Sequence, residues 1–266
     1  MADDAGTRPD DWDLGGEIAL GSALFTLVEP HRGHEVAYNR WYERDHFYAG
    51  CMVGPWLFAG RRFVATRALK GLRFGAEPDL FGGVDRGSYL AIYWILDGRH
   101  DDHVDWALRQ VRWLHANGRM FAERDHVHTL LYRHAWTATG KPEAIPAELA
   151  LDHPFGGLTA TIVEPAPGVN AQVLATFVRD RFAPELELGF TPVPLPPDAP
   201  VAQEGHERLG GCLLNLSFTT MSPATWWPEQ RAAAVELERK GLGRMLWTAP
   251  FIPTVPGTDS YTDELW

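Results

Sequence analysis

The sequence predicts an α+β fold: two β-α-β-β-α-β repeats, the ferredoxin-like arrangement, with their antiparallel sheets packed face to face. Three observations carry that expectation. Apolar strand-like runs alternate with helix-like segments in that order, twice, along the 266 residues. Val28-Glu29-Pro30 recurs as Val163-Glu164-Pro165, and Gly118-Arg119-Met120 as Gly243-Arg244-Met245, as in a duplication. A four-stranded sheet with helices on one side also has a bare second face, which a second sheet covers.

The elements follow in order. Residues 1–20, acidic and Gly-rich, read as a flexible arm. Ala23–Val28 is an apolar strand, and His34 to Met52 a helix stopped by Gly54-Pro55. Trp56–Arg67 is a second strand, 68–86 a long Gly-rich loop, and Ser88–Leu96 (SYLAIYWIL) the clearest strand. Asp101-Asp102 opens a helix that Asn117-Gly118 ends, and Val127–Trp136 completes the first repeat, 21–139. A Pro-bearing linker, 140–156, precedes the second repeat, 157–266. There Leu158–Glu164 is a strand, Asn170–Leu186 a helix, Gly211–Thr220 a strand and Trp227–Lys240 a helix. Pro-rich 192–200 replaces the long loop.

Composition narrows the function. With 45% hydrophobic and 22% charged residues the chain can bury a core. A net charge of −11 repels a nucleic-acid backbone. Cys51 and Cys212 make no disulfide framework, and no apolar run is long enough to span a membrane. The expected location is the cytoplasm. GxGxxG, GxxxxGK[ST] and HExxH are absent, so neither a nucleotide nor a metal is expected.

The first helix is unusual. At 3.6 residues per turn, Tyr38, Trp41, Tyr42, Asp45 and His46 share one face, with Glu35, Asn39, Glu43 and Arg44 opposite. A face meant only for packing would carry Leu and Val. Phenols and an imidazole are costly to bury without partners, so this face is expected to line a pocket for a polar, ring-bearing guest. His46 is the expected acid–base group, with Tyr42 and Tyr38 polarising a carbonyl or phenol and Trp41 forming a wall. Asp45 is a possible partner. Arg61 and Arg62 point to opposite faces of their strand, and an inward Arg62 would bind a carboxylate or phenolate. Alternation puts His126, His128, Leu130, Tyr132 and His134 on one face and Tyr89, Ala91 and Tyr93 on another. Whether His128, Tyr132 and Tyr93 meet the helix or the other repeat is left open. The matching helix of the second repeat, 172–182, has no Trp-Tyr and no His, so one site per chain is expected.

Tyr38-Asn39-Arg40-Trp41-Tyr42-Glu43-Arg44-Asp45-His46, then Gly54-Pro55-Trp56-Leu57 and Arg61-Arg62-Phe63, resemble the dimeric α+β barrel superfamily, and within it EthD-like proteins. Gly-Pro stands in reversed order and no Leu-Pro follows His46. The resemblance implies an intramolecular barrel and a small-molecule enzyme. Together with the residue reading, it leads us to expect cofactor-independent His/Tyr chemistry of lyase, cyclase or isomerase type on an aromatic or polyketide-like molecule. The alternatives are a cofactor-free monooxygenase and a non-catalytic binding protein. A homodimer of the pseudo-dimeric chain is also compatible.

Overall fold

A computed structural model describes residues 17–140, 143–182, 184–194 and 206–266. Most of the expected N-terminal arm and much of the Pro-rich 192–200 stretch lie outside them. The first repeat comprises β1 (Leu20–Pro30), α1 (Glu35–Trp41) running into a π-helical segment (Tyr42–Met52), β2 (Leu57–Val64), the single turn α2 (Arg67–Lys70), β3 (Tyr89–Leu96), α3 (His100–Ala116) and β4 (Arg124–Ala138). The second comprises β5 (Gly157–Pro165), α4 (Ala171–Phe182), β6 (Leu186–Val193), β7 (Leu213–Thr219), α5 (Trp227–Arg239) and β8 (Gly243–Pro253). Helix α4 thus ends sooner than expected, and Leu186 opens a strand instead.

Each repeat orders its strands alike, and the eight close into one barrel, β1-β3-β2-β8-β5-β7-β6-β4. The two seams are unequal. Strands β4 and β6 pair from Leu131↔Val193 to Ala138↔Glu187. Strands β2 and β8 pair only at Phe63↔Pro253 and Val64↔Ile252, where Pro253 has no N–H to give. The 68–86 stretch compensates. Phe74 exchanges backbone hydrogen bonds with Thr248, and Ala76 donates to the Met245 carbonyl. Leu80 and Phe81 belong to the barrel core.

Strand β3 is buried on both faces, which is why SYLAIYWIL reads as continuous apolar sequence rather than alternation. The inner faces form one core that includes Phe25, Phe63, Trp94, Tyr132, Phe190, Phe218, Trp247 and Phe251. The outer face of the second sheet packs Leu174, Phe177 and Val178 of α4 and Ala233 and Leu237 of α5. The outer face of the first packs Tyr38, Tyr42, Cys51, Tyr89, Ala91 and Tyr93.

One sequence landmark of the repeat coincides with the structure and the other does not. Val28-Glu29-Pro30 lies opposite His126-Asp125-Arg124, and Val163-Glu164-Pro165 opposite Met245-Arg244-Gly243. A register shift precedes both, leaving Val127 and Leu246 outside the pairing. Structurally, therefore, 243–245 corresponds to 124–126, whereas Gly118-Arg119-Met120 lies in the turn before β4.

At the long seam Gly189 lies beneath the indole of Trp136. A Cβ there would stand 2.0 Å from Trp136 Cε2. Gly189→Ala is expected to lower stability by about 1–3 kcal/mol, because a rigid indole must shift in a packed layer. Urea unfolding checks this; an unchanged midpoint would mean that the seam is loosely packed.

Candidate functional site

The site begins with the wide i→i+5 turn of residues 42–52. π-Helical turns are rare and concentrate at functional positions. Residues four apart stay nearly in line on such a turn, while those three apart swing aside. Tyr42 and His46 therefore share a wall, and Gly50 and Cys51 join it. Asp45 turns outward, against the same-face expectation, and pairs with Arg119. Gly50 is required by this packing, since a Cβ there would meet His46 Cε1 at 2.8 Å. Helix α3 clasps the end of the segment: Gln110 Nε2 donates to the Ala49 carbonyl (2.6 Å), and His103 Nδ1 to that of Pro55 (3.1 Å).

Between these helices and the outer face of the first sheet lies a cavity of about 460 Å³. Its deep end is formed by buried Tyr42, Cys51, Tyr93 and His103, and its mouth by exposed His115, Gly118, Ala122 and His126. Helix α3 contributes His103, Ala107, Val111 and His115, a four-residue spacing. The sheet adds Leu24, Thr26, Arg124 and Thr129, and Met120 and Phe121 close the side.

The electrostatics are those of neutral rings beside one cation. Burial lowers the His46 pKa to about 3, assisted by Arg124 and His126. Its Nδ1 is buried without a hydrogen-bond partner. Trp41 stacks on the ring at 4.6 Å and 19°, and Tyr42 meets it edge-on at 5.2 Å. His126 is lowered to about 4, by burial and then by Arg124. Its Nε2 accepts from Arg124 (3.1 Å), which places its proton on Nδ1, facing Thr129 Oγ1 at 3.3 Å. The His103 bond to Pro55 leaves the lone pair on Nε2. Tyr42 and Tyr93 share a hydrogen bond of 2.9 Å. Burial holds both hydroxyls, and the Cys51 thiol at about 12, protonated. Arg124 is the odd member: partly buried, over the Trp41 ring at 4.9 Å, and without a carboxylate partner among the described residues.

Of the residues singled out from sequence, Tyr42, His46 and Tyr93 line this cavity. Tyr38 does not. It is sealed among Trp41, Tyr42, Tyr89 and Phe121, its pKa raised to about 12 by burial. Trp41 backs His46 and donates its indole N–H to the Arg119 carbonyl. Arg62 is locked beneath Tyr42 by Glu43 (3.2 Å) and Asn39 (2.9 Å), so it is not the inward arginine expected. His128 and Tyr132 face the barrel interior, bonded to each other at 2.7 Å. The shift at Val127 puts His126 on the opposite face, breaking the expected His126–His134 alternation. Sequence reasoning missed Arg124 and the site role of His103, His115 and Cys51. The four-residue spacing of His103, Ala107, Val111 and His115 was the available signal.

No protein-family model matches the sequence, and no curated protein does. Solved structures do match in fold. A chlorite dismutase candidate has 10% identity and a TM-score of 0.52, over 93% of this chain and all of that one. DtpA of Streptomyces lividans, in an oxyferrous complex, has 12% identity and a TM-score of 0.51, over 96% of this chain and 98% of that one. A heme-binding protein from Thermus thermophilus has 9% identity and a TM-score of 0.44, over 90% and 94%. The fold is that of the dimeric α+β barrel proteins. The expectation of cofactor-independent chemistry is corrected here: DtpA, which shares the fold, is an iron-bearing protein in its oxyferrous complex. Burial, which lowers the His46 pKa, also disfavours a proton shuttle by that ring near neutrality. Among the described residues no helix is long and apolar enough to cross a membrane.

The pH dependence has a definite sign. The folded-state pKa of His46 lies below that of a free imidazole, so the unfolded chain protonates first as pH falls. The contribution of His46 is full above about pH 6.5 and declines toward pH 3. By pH 5 the loss amounts to about 2 kcal/mol; His126, more open to water, adds less. His46→Phe is expected to flatten the loss of urea stability between pH 7 and 5 by about that amount. An identical pH slope in the variant would show that the ring is not buried neutral.

Proposed function

We propose that the cavity binds a heme and that the protein is a heme-dependent enzyme of small-molecule oxidation. The observation that carries this reading is one cavity holding two neutral imidazoles, His46 and His103, at its inner walls and, toward its mouth, the Arg124 guanidinium, which has no carboxylate partner among the described residues. A heme presents those needs: an iron that takes a neutral imidazole, a flat apolar ring, and carboxylates at one edge. The residues present fit it. The buried Nδ1 of His46 has no hydrogen bond to break before it donates a lone pair, and stacking on Trp41 holds the ring in one orientation. His103, with Nδ1–H given to a backbone carbonyl, has the outer bond usual for a ligating histidine. Tyr93, Phe121 and Val111 supply apolar wall.

Bound heme would supply redox-active iron. The chain's own part is to place and protect it. Arg124 would pair a carboxylate of the group, and Trp41, stacked on His46, would keep that ring from rotating. The Tyr42–Tyr93 hydroxyl pair, both protonated, offers a hydrogen bond at the deep end. Oxyferrous DtpA is a precedent for iron chemistry on this fold. The likeness of residues 38–64 to EthD-like proteins supports a site on the first helix.

Titrating the purified chain with hemin tests this. One equivalent is expected to bind, giving the absorption spectrum of imidazole-ligated iron. His46→Ala should remove that spectrum, and Arg124→Met should weaken binding about tenfold, the loss of one charge-assisted contact. Wild-type spectra in both His46→Ala and His103→Ala, or no saturable binding at all, would sink the reading. Asp45→Asn is expected to leave hemin binding unchanged and to cost under about 1 kcal/mol, as for an exposed ion pair; weakened binding would place Asp45 in the site after all.

A further inference from the structure

A second cavity, of about 640 Å³, lies against Glu29 at the end of β1, between α2, the Asp85–Arg86 turn and the C-terminal Leu265–Trp266. It contains none of the residues of the heme reading. Four cations line it, Arg32, Arg67, Lys70 and Arg86, against two acids, Glu29 and Asp85. In a chain of net charge −11 this is a local reversal of sign.

The acids offset it only in part. Glu29 is buried and committed at both oxygens: Oε2 accepts from the Gly87 N–H (2.6 Å) and Oε1 from the Ser88 hydroxyl (2.5 Å). Lys70 is only 8% exposed. Its Nζ donates to Ser88 Oγ at 3.0 Å and stands 3.9 Å from Glu29. Arg86 is taken by Asp125 (2.5 Å). Arg32 and Arg67 have no carboxylate partner among the described residues. Beneath them Arg73, also buried, gives its Nη groups to the carbonyls of Arg86 and Gly87, adding positive charge. The Trp266 indole is held by two of these cations, Arg32 at 4.8 Å and Lys70 at 4.3 Å from its centroid. Cations that outnumber the acids around a concave surface, Arg32 and Arg67 among them without a carboxylate partner, repel one another, and a multivalent anion in their midst relieves that repulsion.

We infer that this cleft binds a small multivalent oxyanion, a phosphate ester or a polycarboxylate, gripped by Arg32, Arg67 and Lys70 beside Trp266. Calorimetry on the full chain at low ionic strength, with pyrophosphate and with citrate as probes, tests this. One of the two is expected to bind, and which one identifies the phosphate or carboxylate source. Binding should weaken as salt rises. The double variant Arg32→Gln/Arg67→Gln, both positions exposed and so neutral to folding, should weaken binding at least about tenfold. Binding should also change tryptophan fluorescence in the wild type and not in Trp266→Phe. His46→Ala should bind the probe as the wild type does, so this result stands apart from the hemin titration. No binding of either anion, or full binding by the double variant, would overturn the inference.

Discussion

The structure depends on one constraint: each four-stranded sheet is apolar on both faces but has helices for only one. Residues such as Phe25, Trp94, Phe190 and Trp247 would face water in a single repeat. At roughly 25 cal/mol per Å² of apolar surface, that exposure is prohibitive for a domain of this size. Two repeats in one chain remove it, each sheet covering the other. The seams β4–β6 and β2–β8 then close the barrel and abolish the open edges. Where β2 and β8 meet too briefly, the 71–77 backbone and the plug of Leu80 and Phe81 complete the wall.

Closure frees the outer faces to diverge. Register equates Tyr93 with Ser217, Ala91 with Asn215, Gly60 with Glu187 and Arg62 with Gly189. In the first repeat the long Tyr93 and the Arg62–Glu43 pair support a cavity. In the second, Trp136 occupies the space over Gly189 and apolar helix faces pack down. Glu187, raised to about 8 by burial, is a neutral acid within that packing. The pattern is one of duplication in which the outer face of the first half carries the cavity at Tyr42 and His46.

Within the first half, function turns on protonation set by burial. An exposed histidine exchanges protons at neutrality; burial beneath α3 and Trp41 disfavours the protonated ring of His46. That difference separates an acid–base site from a ligating one. Residue identities alone do not contain it. The spacing of Tyr42 and His46 announced a lined cavity, and the cavity is there. Its chemistry follows from desolvation and from Arg124, a residue with no distinctive local signal.

Element order, the buried β3, the stop at Gly54-Pro55 and the position of Tyr42 and His46 on the inner wall were all determined by sequence, because periodicity and turn residues act locally. Two other features were decided only by tertiary structure. The π-helical turn at 42–52 rests on contacts with α3 and on the close approach of His46 to Gly50, and it swung Asp45 outward. The shift at Val127 answers to the pairing of β1 with β4, and it sent His126 to the cavity and His128 to the barrel interior. Each displaces a side chain by one register step, and one step reverses the face. A local pattern cannot count that step, since the partner that imposes it lies far away in the chain.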